Sequence, residues 1–107
     1  MKKGDIVLVE IPNVGGHEQH GFRPAIVLRP VVANTIVVIP LTTNVEAVRF
    51  PYTYILSPNE SNGLKDKSIA LIFQIRTIDT KRIIRRVGKL AKAEMANTLK
   101  VLKNLIF

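Results

Sequence analysis

The order of apolar and polar residues divides the chain into short strands followed by one helix. Val7, Val9 and Ile11 alternate with Ile6, Leu8 and Glu10, and the run closes at Pro12, so residues 5–11 read as a mostly buried strand. The polar stretch from Asn13 to Phe22, with its glycines and two histidines, reads as a loop. Pro24 opens Ala25-Ile26-Val27-Leu28, a strand expected to stop near Pro30, and Thr35-Ile36-Val37-Val38-Ile39 supplies a third. Tyr52 to Leu56 is a fourth. The turn-rich stretch Ser57 to Gly63 separates it from a fifth at Ser68 to Phe73, and a shorter sixth is expected at Arg82 to Val87. The period then changes. Met95, Leu99, Leu102 and Ile106, flanked by Ala91, Thr98, Val101 and Leu105, predict an amphipathic helix from about Lys92. Strands first and helix last predict a mainly β fold with a C-terminal α-helix: a small SH3-like antiparallel barrel, capped by that helix, in a single domain over residues 1–107.

Composition narrows the class. With 107 residues, 47% of them apolar, the chain can build one core and is too hydrophobic for a disordered tail. A domain of this size buries only about two-thirds of its unfolded surface, so a homodimer interface would add useful burial. Cysteine is absent, which removes disulfides, thiolate metal sites and thiol nucleophiles together. Lys2 and Lys3 are followed by Asp5, Glu10 and Pro12 rather than an apolar stretch, so no signal peptide or membrane span is expected and the cytoplasm is the expected compartment.

The formal net charge of +8 is spread unevenly. Residues 1–75 carry seven Lys/Arg against six Asp/Glu, whereas residues 76–107 carry nine against two, a net of +7. This basic last third is either a solvated face or the surface for a polyanion, and nucleic acid and an acidic protein segment both fit.

Most templates for chemistry fail. His17 and His20 stand three apart with no third histidine, so neither a zinc site nor any other metal or cofactor is expected. Gly15-Gly16 leads to a strand and not to a helix, so it is not a phosphate-binding glycine loop. What remains is polar groups at strand ends. Arg23 precedes Pro24, which holds its backbone extended; its guanidinium there either pairs with Glu18 or grips a phosphate through two parallel hydrogen bonds. Thr42 and Thr43 follow Leu41 at the far end of another strand, where a threonine either caps the chain or meets such a phosphate.

Lys3-Gly4-Asp5-Ile6-Val7, Gly16-His17-Glu18-Gln19, Gly21-Phe22-Arg23-Pro24, Leu41-Thr42-Thr43 and Gln74-Ile75-Arg76-Thr77-Ile78-Asp79 resemble, in order and spacing, the successive motifs of the MazF/PemK toxins. The resemblance implies an SH3-like barrel that acts as a homodimer and cuts single-stranded RNA, messenger RNA included, at specific sequences. It also implies a type II toxin–antitoxin system, in which an acidic antitoxin protein holds the toxin in check. Arg23 and Thr42 would act on the scissile phosphate, the loop carrying His17, Glu18 and Gln19 would close over the RNA, and Gln74 would lie close to the bound strand. One departure stands out: some relatives carry an arginine and a carboxylate that act as acid and base where this chain has Leu71 and Phe73.

RNA can be cut by its own 2′-hydroxyl, so such an enzyme needs charge stabilisation and proton traffic rather than a nucleophile or metal of its own. Arg23 would stabilise the phosphorane oxygens, Thr42 would align the phosphate, and His17 or His20 has a suitable side-chain chemistry for the proton acceptor. Two other readings are a gyrase poison of the same fold, which in relatives uses a tryptophan-bearing C-terminus that this chain lacks, and a non-catalytic SH3-like module that binds nucleic acid or protein.

Overall fold

The computed structural model describes residues 1–11 and 21–107. Among these residues, seven strands, β1 (Asp5–Ile11), β2 (Gly21–Val32), β3 (Thr35–Thr42), β4 (Thr53–Leu56), β5 (Ser68–Leu71), β6 (Arg76–Asp79) and β7 (Ile83–Lys89), precede one helix, α1 (Lys92–Ile106). Short 3-10 helices lie at Val45–Arg49, Ile72–Gln74 and Thr80–Arg82. The strands run in the order β4-β5-β3-β2-β1-β7, with β6 also on β3, and the pairings are antiparallel.

The expected barrel is open: β4 and β7 end the order and do not pair with each other. Helix α1 lies against β4, where Asn97 Nδ2 donates to Tyr54 Oη at 3.0 Å, so helix packing rather than a last ladder covers that end of the core.

The near-continuous apolar runs of β1 to β3 follow from burial on both faces. Ile6, Ile26, Ile39 and Leu41 join Leu56, Ala70, Ile72 and Leu90 in one cluster, against which Met95, Val101, Leu102 and Leu105 of α1 pack. Val7, Val9, Ile11, Ala25, Val27, Ile36, Val38 and Ile78 form the second.

Several elements differ from the expectation. Strand β2 runs past Pro30 to Val32, because the proline falls where the β2–β3 register shifts and no regular ladder bond is required of it. The turn that follows places Ala33 and Asn34 at φ of 50° and 61°, the twist that two-residue hairpins favour. Strand β5 stops at Leu71 and turns into a 3-10 helix. Helix α1 begins at Lys92 as predicted, with the Glu94 carboxylate accepting from the Ala91 N–H at 2.9 Å, and its expected stripe packs on the core through Met95 and Leu102 but not at its end. Thr98 is fully buried, its hydroxyl donating to the Glu94 carbonyl at 2.8 Å, whereas Ile106 is 59% exposed. Among the described residues, no helix is long and apolar enough to cross a membrane.

Candidate active site

Two strand ends carry Arg23 and Thr42, the residues expected from the sequence to meet a phosphate. Strands β2 and β3 pair Val27 with Val38, Ile26 with Ile39 and Ala25 with Pro40. Beyond that last pair, Arg23 of β2 and Thr42 of β3 line one cavity. Alternation along β2 keeps Arg23 in phase with Ala25 and Val27 of the second cluster, whereas Thr42 pairs across strands with Ile69, which packs with Ala47 and Leu71. The cavity, of about 200 Å³, is lined also by Pro24, Thr43 and Ser68. Arg23 is half-buried and pairs in register with Val9 of β1, while Thr42 is buried and pairs with Ile69 of β5.

Just beyond Thr42 the chain makes a sharp local turn. The Asn44 N–H donates to Thr42 Oγ1 at 3.2 Å, and Asn44 Oδ1 accepts from the Glu46 N–H at 3.1 Å, capping the 3-10 helix Val45–Arg49. Asparagine caps well because its short side chain reaches the orphan donors of the first turn.

A second, larger cavity of about 470 Å³ opens on the other side of Thr42, lined by Asn44, Glu46, Arg49, Phe50, Leu71, Phe73 and Gln74 among others. The rings of Phe50 and Phe73 are 5.6 Å apart and tilted, and the Arg49 guanidinium lies 5.1 Å from the centre of the Phe50 ring. Tyr52, at a φ of 60°, receives the N–H groups of Ile72 and Phe73 on its carbonyl at 3.1 and 3.3 Å, which ties the Gln74-bearing segment to the start of β4.

Arg23, Thr42 and Gln74 thus meet around Thr42, which belongs to both cavities. Leu71 and Phe73, the departure noted in the sequence, pack with Ala47 and Ile69 and make that wall apolar. His17, Glu18, Gln19 and His20 lie outside the described residues. The basic last third is not all open surface: Arg86 Nε sits 3.4 Å from Asp5 Oδ1, and Arg82 Nη1 3.5 Å from Glu10 Oε1. Sequence reasoning missed Ser68, Asn44, Glu46, Arg49 and Phe50. Only Asn44, a helix-capping residue type just after a strand, gave a local signal.

Comparison with known proteins accords with this geometry. A family model described as "PemK-like, MazF-like toxin of type II toxin-antitoxin system" matches residues 2–106. Endoribonuclease MazF9 of Mycobacterium tuberculosis is 33% identical over 112 residues, covering 96% of this chain and 93% of that protein. Endoribonuclease EndoA of Bacillus subtilis is 30% identical over 94 residues, covering 84% and 80%. Among solved structures, MazF (Form-I) from Deinococcus radiodurans superposes with a TM-score of 0.82 at 24% identity, covering 99% of this chain and 96% of that one. The MazE-MazF (Form-II) structure from the same organism gives 0.75 at 24% identity, with 99% and 95% covered, and both likenesses speak to the fold. The family model over nearly all residues and the 33% identity to a relative of matching length establish that this chain belongs to the PemK-like, MazF-like toxins of type II toxin–antitoxin systems.

Proposed function

We propose that the chain is the toxin of a type II toxin–antitoxin system and an endoribonuclease that cuts single-stranded RNA at specific sequences, using the RNA's own 2′-hydroxyl as nucleophile. The observation that carries this reading is the convergence of Arg23 and Thr42 on one cavity at the ends of β2 and β3. A guanidinium is always protonated and presents donors in a planar fork that matches two phosphate oxygens. Aimed at the oxygens of a phosphorane, one such donor is worth about 3 kcal/mol of transition-state stabilisation. Thr42, buried and fixed by the Asn44 N–H, adds a hydroxyl donor that aligns the phosphate. Gln74 lines the neighbouring cavity, where an adjacent nucleotide of the strand would lie. His17, Glu18 and Gln19 complete the RNA contacts in this reading.

The relatives' names, endoribonucleases in M. tuberculosis and B. subtilis, favour RNA over gyrase as the target and an enzyme over a passive binding module. The neighbouring structures that contain a MazE-MazF pair, or an endoribonuclease with its cognate antitoxin, support an antitoxin as partner, and the net charge of +7 over residues 76–107 favours an acidic one. The working form we propose is a homodimer in the cytoplasm, its interface covering apolar side chains that one copy leaves exposed, such as Ile55, Ile84, Ile106 and Phe107. Incubation with a long RNA of mixed sequence in excess chelator tests the reading. Fragments ending in 2′,3′-cyclic phosphate and 5′-hydroxyl are expected, and activity that needs added magnesium would refute it.

A further inference from the structure

Cleavage by a 2′-hydroxyl requires a group that takes its proton. Arg23 and Arg49 cannot, because a guanidinium keeps its protons at any ordinary pH. The amides and hydroxyls of Asn44, Gln74, Thr42 and Ser68 are not bases near neutrality. Among the described residues that line the two cavities meeting at Thr42, Glu46 is the one carboxylate.

Its backbone is tied to Thr42 through one residue. Asn44 donates its N–H to the Thr42 hydroxyl and accepts the Glu46 N–H on its side-chain oxygen, so the start of the 3-10 helix that carries the carboxylate is anchored next to the phosphate-aligning hydroxyl. In a 3-10 helix, side chains three apart eclipse one another. Glu46 and Arg49 of Val45–Arg49 therefore share a face, and both line the larger cavity. Arg49 on the same helix and Arg23 on β2, beyond Thr42, are the other charged groups lining the two cavities.

We propose that Glu46 is the general base of this site, an assignment that rests on the RNA-cleavage reading above. The carboxylate takes the proton of the 2′-hydroxyl as the O2′–P bond forms. The P–O5′ bond breaks with its electron pair on the 5′-oxygen, which takes a proton from water. The hydroxide left behind is neutralised by the proton on Glu46, which returns to carboxylate. Phosphate contacts by Arg23 and Thr42 on one side, and the carboxylate on the other, place the attacking nucleotide in the larger cavity.

Glu46 is exposed, so its replacement leaves the apolar core intact. The test compares wild type, Glu46→Ala and Glu46→Asp in chelator, by single-turnover cleavage at saturating RNA and by binding of an uncleavable 2′-deoxy oligonucleotide. Glu46→Ala should cut about a hundredfold more slowly or worse. Its affinity for the oligonucleotide should stay within a factor of about three of wild type. Added formate should restore part of the rate to Glu46→Ala and none to wild type, Glu46→Asp should keep part of it, and the acidic limb of the pH–rate profile should vanish in Glu46→Ala. A Glu46→Ala protein that cuts as fast as an active wild type overturns the assignment alone. So does a slow variant that neither formate nor Glu46→Asp restores, which would give Glu46 a structural role. A wild type that leaves RNA intact overturns the activity itself.

Discussion

The N–H of Asn44 donates to the hydroxyl oxygen of Thr42 at 3.2 Å, so one acceptor position of that oxygen is filled and its own hydrogen is left to donate elsewhere. Thr42 sits between the Arg23 cavity and the Gln74 cavity, and a hydroxyl polarised in this way is suited to donate to a phosphate oxygen. Thr42→Val keeps the shape and removes the hydroxyl, leaving the Asn44 N–H without this partner. We expect it to lower stability by about 1 kcal/mol and the cleavage rate by about tenfold or more. Thr42→Ser should restore both. Urea denaturation and single-turnover cleavage of the same three proteins measure the two effects separately.

Arg23→Ala should leave the fold intact, since the side chain is half-buried at a cavity and outside the apolar clusters, and should reduce the cleavage rate by about a hundredfold or more. Arg23→Lys should recover only part of that loss, because an ammonium replaces a planar fork by a point charge. Near-wild-type rates for Arg23→Ala would put the scissile phosphate elsewhere.

Stability depends on a side chain remote from this chemistry. Asn62 is fully buried, its Oδ1 accepts from the N–H groups of Asn59 and Leu64, and its Nδ2 donates to the Ser57 carbonyl. It closes the loop between β4 and β5. Asn62→Ala leaves three backbone groups without these partners, and we expect a loss of about 1–2 kcal/mol in unfolding free energy by denaturant titration.

The parts of the fold that could be read in advance are those whose pattern is set by their own residues. The alternation of residues 5–11 and the change of period at Lys92 each survive almost residue for residue as β1 and α1. Strand β6 could not be read, because Arg76-Thr77-Ile78-Asp79 holds a single apolar side chain and is a strand through its pairing with Thr35 to Val38. The stripe of α1 was legible at Met95 and Leu102 and failed at Ile106, while Thr98, placed at its flank, is fully buried because its hydroxyl is satisfied by the Glu94 carbonyl. The site divides in the same way. Arg23 and Thr42 were singled out through motifs, and the fold brings them to one cavity. Glu46 was hidden, since a carboxylate in a five-residue 3-10 helix has no periodicity to mark it and reaches the site only through the turn at Asn44.

Charge reversal on β7 separates binding from folding. Arg86 pairs with the largely buried Asp5, so Arg86→Glu should destabilise the fold by about 1 kcal/mol through the lost pair and a new like-charge contact. Arg85 is exposed, and Arg85→Glu should leave the denaturation midpoint in place while weakening binding to an acidic antitoxin segment and to RNA together, if the two share a groove. Both affinities should fall with salt, the RNA affinity with a log–log slope of about −0.7 per phosphate contacted. A competition titration of uncleavable RNA against the acidic peptide reads the shared site, and RNA that stays bound at saturating peptide would separate the two.

Attack by the RNA's own hydroxyl is the central claim, and a single-atom change in the substrate addresses it. Once the cut has been mapped in an RNA oligonucleotide, the same oligonucleotide with 2′-deoxyribose at the one nucleotide 5′ to the cut should bind the wild-type chain in chelator with similar affinity and remain whole at that bond. Cleavage of the deoxy-substituted bond at a rate near that of the all-RNA strand would contradict the account.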